Sequence, residues 1–90
     1  MAMDERRILD ELLALLEGDG VQIRKEAMGG GGGGLCAVKG ERIFFLDTDS
    51  PSADTSVLCA QAIAKLVDIE AVYVRPEIRL FIENHAGSVT

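Results

Sequence analysis

Tryptophan is absent from the 90-residue chain, and its aromatic residues are only Phe44, Phe45, Tyr73 and Phe81. A platform for single-stranded nucleic acid needs exposed aromatics interleaved with basic residues, and three of these four sit in apolar runs. Basic residues are outnumbered nine to fifteen by acidic ones, for a net charge of −6. No nucleic-acid partner is expected from that balance. Apolar runs are short. The longest, Leu12 to Leu16, is five residues, against the ~18 of a membrane-spanning helix. Asp4 and Glu5 stand where a signal peptide would carry bare positive charge. A cytoplasmic protein without a membrane partner is the expectation.

Cysteine is scarce too. Cys36 and Cys59 form no C-x-x-C pair and no cluster with the single histidine at zinc spacing. No metal and no cofactor are expected, and the usage suits a reducing compartment, although a Cys36–Cys59 disulfide stays open at this point. What is present is ordinary globular composition, 48% apolar and 27% charged. Residues 1–90 are read as one domain, able to bury roughly 60–65% of the surface that the unfolded chain exposes.

Ile8, Leu9, Leu12, Leu13, Leu15 and Leu16 recur at helical spacing and predict a helix over about 4–17. Asp4 is its N-cap, Gly18 its left-handed stop, and Arg6–Asp10 and Arg7–Glu11 are pairs four residues apart. From Val21 the period falls to two. Strands are predicted over about 21–28, 35–39 and 42–46, with the glycine-rich loop 29–34 between the first two and Lys39-Gly40 as a tight turn. The last two strands are apolar at both parities and require cover on both faces. The first has a Gln-Arg-Glu face and belongs at the sheet edge. Ser50 as N-cap with Pro51 after it opens a helix over about 51–67, and Pro76 opens another over about 76–85. The predicted fold is α+β: a helix, a three-stranded antiparallel meander, then two helices (α-β-β-β-α-α).

Val21 to Arg24, the glycines, and Gly34-Leu35-Cys36-Ala37-Val38-Lys39-Gly40 resemble a group of small bacterial hypothetical proteins of about this length. Leu66 to Arg79 looks like the same group. The resemblance covers about two-thirds of the chain. It implies a bacterial, cytosolic, free-standing domain, and no activity, ligand or catalytic residue comes with it.

Three local patterns carry chemistry. Ile43-Phe44-Phe45-Leu46-Asp47-Thr48-Asp49, an apolar strand ending in D-x-D, resembles the first motif of haloacid-dehalogenase-type phosphatases, which implies Asp47 as nucleophile and Asp49 as acid–base residue. That family has a parallel sheet, a lysine and a later acidic motif, and no such acidic pair follows here. Asp47 and Asp49 are therefore expected to end the strand and start the helix. Gly31, Gly32 and Gly33 could cradle a phosphate with their amides. The P-loop pattern, however, needs Lys-Ser/Thr and a helix after the glycines, and here Leu35-Cys36 and a strand follow. A kinase-type glycine loop does join two strands, but its lysine lies on the next strand, not at Lys39. A flexible hairpin tip is the expectation. Cys36, directly after the glycines, is a candidate nucleophile with His85 as base, set against a strand cysteine that acts as a small hydrophobe. Cys59, flanked by Leu58 and Ala60, is core. Arg75 and Arg79, one helical turn apart, could hold one anion or join a salt-bridged surface.

No catalytic residue is expected. The residual signal is an excess of apolar surface: two-sided strands and a helix without charge from Thr55 to Ala64. It points to a non-enzymatic module that binds itself as a homodimer, or another protein, with Ala60 or Ala64 facing the interface. The competing reading is a small-ligand or phosphate binder that uses the glycine loop, with Gly31, Gly32, Gly33, Cys36, Asp47 and Asp49 as binding candidates.

Overall fold

The structure, a computed structural model, describes residues 4–31 and 33–86. Asp4 accepts the Arg7 amide at 2.9 Å and opens α1 (Glu5–Gly18). The stop differs from expectation. Gly18 stays in the helix, and the left-handed residue is Gly20, at φ +88°. The Leu16 and Glu17 carbonyls take up the amides of Asp19, Gly20 and Val21 and turn the chain into the sheet. Arg42 locks that corner, bonding the Asp19 carboxylate at 2.9 Å and the Asp19 carbonyl as well.

β1 (Gln22–Glu26), β2 (Gly34–Val38) and β3 (Glu41–Asp47) form one mixed sheet in the order β1-β3-β2. The antiparallel meander is thereby corrected. β2 and β3 form the expected hairpin, whose turn residues Lys39 and Gly40 both have positive φ (52° and 79°), as a type I′ turn requires. β1 keeps its edge position but pairs parallel with β3. The reason lies in the side chains of β3. At the centre, Phe44 is flanked in register by Ile23 on one side and Leu35 on the other, and it is fully buried. In a meander β2 would hold the centre and Phe44 would lose a flank. The expectation that β2 is covered on both faces fails for the same reason: at an edge, Cys36, Ala37 and Val38 are exposed.

Alternation then sorts the sheet into two unlike faces. Phe44 and Leu46, with Ile23 and Leu35 beside them, point into the core with Leu9, Leu12, Leu13 and Leu16 of α1. α2 (Ser52–Leu66) lies between α1 and α3 (Pro76–Ala86) and also touches β2. It supplies Cys59, Ala60 and Ile63 to the core, while α3 supplies Ile78 and Ile82. Ala60 is thus a core residue, not an interface one. Ile43 and Phe45 point the other way, and neither joins that core. Ser50 is not the N-cap of α2. Its hydroxyl bonds Asp47 Oδ2 at 3.1 Å, and the helix starts at Ser52 after Pro51, without a side-chain cap.

Candidate functional site

The pairing register puts the end of β1 and the start of β2 at the same end of the sheet, on either side of β3. Residues 27–33 must therefore pass around the C-terminal end of β3, where Asp47 and Asp49 stand. Asp47 is 1% exposed. Its Oδ1 accepts the Met28 and Asp49 amides at 2.9 Å each, and its Oδ2 accepts the Ser50 hydroxyl. Asp49 Oδ2 accepts the Gly29 amide at 2.9 Å, and the Thr48 amide reaches the Glu26 carbonyl at 2.9 Å. The D-x-D turn is a clamp on the crossover. A carboxylate with both oxygens held by donors of its own chain is poorly placed to attack a phosphoryl group.

The glycine segment is not a hairpin tip, which corrects that expectation: it joins two strands that are not neighbours. Gly33 is packed so closely that a Cβ there would lie 1.8 Å from the Phe45 carbonyl oxygen. Gly31 has room, with the nearest atom, the Met28 carbonyl oxygen, at 3.7 Å from such a Cβ. Gly32 lies outside the described residues. The amides at the head of this loop face two carboxylates, the place an anion would take in a phosphate cradle. The geometry argues against that use of the loop.

The cysteines and the histidine do not meet. Cys36 lies on the face of the sheet turned away from the helices, level with Ile43, and is exposed. His85 lies in the helical layer, its Nδ1 3.0 Å from the Phe81 carbonyl oxygen and its ring 4.2 Å from the Phe81 ring. Cys59 is fully buried, and burial pushes its thiol up to about 12. Both cysteines are free, which closes the disulfide question. No group of three or more His, Cys, Asp or Glu residues that could hold a metal occurs among the described residues. Arg75 pairs with Glu11 at 3.2 Å, and Arg79 with Glu70 and Glu83, so this arginine pair belongs to a salt-bridged surface.

What the structure brings together instead is an apolar strip on the helix-free side of the sheet. Ile43, only 8% exposed, and half-buried Phe45 form its middle, Cys36 and Val38 of β2 its open flank, and Gln22, Arg24 and Glu26 of β1 its polar flank. Val38 is 47% exposed. Apolar residues at both parities of β2 and β3 are the sequence signal for this surface, although position in the sheet could not be read from them. The described helices are too short or too polar to cross a membrane. Compared with known proteins, the chain matches no protein family, no curated protein and no solved structure.

Proposed function

We propose that this protein is a non-enzymatic self-association module, which pairs the β2 edge of one copy with that of a second. The observation that carries the reading is the contrast between the two sheet edges. Exposed edges invite pairing, and proteins guard them with charge, proline or bulges. β1 carries Arg24, Lys25 and Glu26, whereas β2 offers Gly34-Leu35-Cys36-Ala37-Val38 with no charge. An antiparallel strand can pair with itself about a two-fold axis without any second sequence. Centred on Cys36, such pairing joins two sheets into one, with two copies of the Ile43–Phe45 strip on a common face. The alternative occupant is a strand donated by another protein. We read the module as cytoplasmic, from its free thiols, and as bacterial, from the resemblance of its loop and hairpin residues.

Sedimentation equilibrium of the purified protein tests this. A dimer is expected at micromolar concentration, and Val38→Lys should return it to monomer. Mild oxidation should link wild-type copies through Cys36, since directly opposed residues lie about 4.5–5.5 Å apart between Cα atoms. A monomer at millimolar concentration would sink the reading.

A further inference from the structure

Six arginines occur in the sequence, and five of them, Arg7, Arg24, Arg42, Arg75 and Arg79, form ion pairs with acids. Arg6 pairs with no acid among the described residues, although Asp10 stands four residues on in the same helix. The expected Arg6–Asp10 pair is not formed, while its neighbour Arg7–Glu11 is, at 3.8 Å. Lys25 of β1 has no acidic partner among the described residues either. Lys39 and Lys65 pair with no described acid either, so what sets Arg6 and Lys25 apart is their position. Arg6 and Lys25 line the same cavity, about 220 Å³ in volume.

Three elements converge on that cavity. α1 brings Arg6 over Leu9 and Leu13, β1 brings Lys25, and the β3–α2 turn with the start of α2 brings Thr48, Ser52 and Thr55. The place is the crevice at the carboxyl ends of the parallel strands β1 and β3, where the chain leaves β1 toward β2 but leaves β3 toward a helix. Two acids also border the cavity. Asp47 has both carboxylate oxygens engaged by Met28, Asp49 and Ser50. Asp10 is exposed on the rim.

We propose that this cavity binds a small phosphate monoester, the phosphate between Arg6 and Lys25 and a short hydroxylated carbon chain toward Asp10. Two cations from different elements, with hydroxyl groups on a third side, suit a tetrahedral oxyanion better than a planar carboxylate. Leu9, Leu13 and Leu46, each only 6–8% exposed, give the carbon chain an apolar floor. The cavity, about 220 Å³ and open to solvent on one side, has room for more than a phosphate group. Asp10 repels a second anionic group and accepts a hydroxyl, so a singly phosphorylated polyol fits and a diphosphate does not. This site is separate from the glycine loop and from the β2 edge, so its test does not depend on association.

The test is a titration of ¹⁵N-labelled protein with glycerol phosphate at low ionic strength, with inorganic phosphate, acetate and glycerol run separately. Saturable shifts are expected at the amides of Thr48 and Ser52 with glycerol phosphate, weaker ones with inorganic phosphate, and none with glycerol. Arg6→Gln and Lys25→Gln should each weaken binding about tenfold, the scale of one charge-assisted hydrogen bond. Both side chains are exposed, so the fold should be unchanged, and Lys65→Gln on the outer side of α2 should bind as the wild type does. Acetate binding as tightly as phosphate would overturn the assignment. So would an affinity left unchanged in Arg6→Gln, or no saturable shift at all.

Discussion

A methyl group at Gly33 would lie 1.8 Å from the Phe45 carbonyl oxygen, whereas one at Gly31 would meet nothing closer than 3.7 Å. The two substitutions change chain entropy alike, so their difference isolates packing. Gly33→Ala should cost about 1–3 kcal/mol, the usual penalty of overpacking. Gly31→Ala should be neutral or stabilise by about 0.5 kcal/mol, because it restricts the unfolded chain. Urea unfolding reads both, and equal effects would show that the crossover does not touch β3. The two aspartates differ in the same way. Asp47→Ala strands the Met28 and Asp49 amides and the Ser50 hydroxyl, and should cost about 3 kcal/mol. Asp49→Ala loses one exposed bond, to Gly29, and should cost less than about 1 kcal/mol. Sequence alone set both aspartates down as turn residues of equal weight. The difference in burial that separates them depends on the crossover lying against β3.

At the scale of elements, α2 looks apolar around its circumference in sequence, yet only one side of it is deeply packed. Ala60 is fully buried in the core, and Ala64, about one turn on, is exposed. Ala60→Glu should leave the domain unfolded or strongly destabilised, since it buries an unpaired carboxylate. Ala64→Glu should leave both the melting temperature and the association state as they are. Circular dichroism with sedimentation checks the pair, and loss of association in Ala64→Glu would move the interface from the sheet edge to α2. The helix bounds were legible because periodicity is local, although Gly18 and Ser50 do not take the capping roles expected of them. Strand order was not legible. Period-two alternation says which residues share a face but not which strand lies beside which, and the glycine run can equally turn tightly or cross over.

For the whole molecule, the two thiols report on folding and association together. Burial favours the protonated Cys59 thiol, raising it from 9.0 to about 12. The unfolded chain ionises first, so Cys59 lowers stability as pH rises from about 9 toward 12 and has no such effect below about pH 9. At pH 8 a thiol reagent should modify one cysteine of the folded protein, Cys36, and reach Cys59 only on unfolding. If copies pair through β2, Cys36 reacts more slowly as protein concentration rises, and Val38→Lys removes that dependence. A Cys36 rate that is the same at all concentrations would count against pairing at this edge.

The sequence by itself determined the element list, the helix starts at Asp4 and Pro76, the tight turn at Lys39-Gly40, the edge position of β1 and the core role of Cys59. Each rests on local chemistry: a side chain that accepts a neighbouring amide, a φ that glycine allows, or an apolar stripe. Only the tertiary structure decided that β3 stands at the centre, that Asp47 clamps the crossover, that Arg75 and Arg79 are paired, and that Arg6 and Lys25 share a cavity. Most of those facts join residues far apart in the chain, as Arg75 with Glu11. The central place of β3 follows from where Phe44 finds apolar neighbours on both sides, because the strand with the most to bury takes the place that buries it.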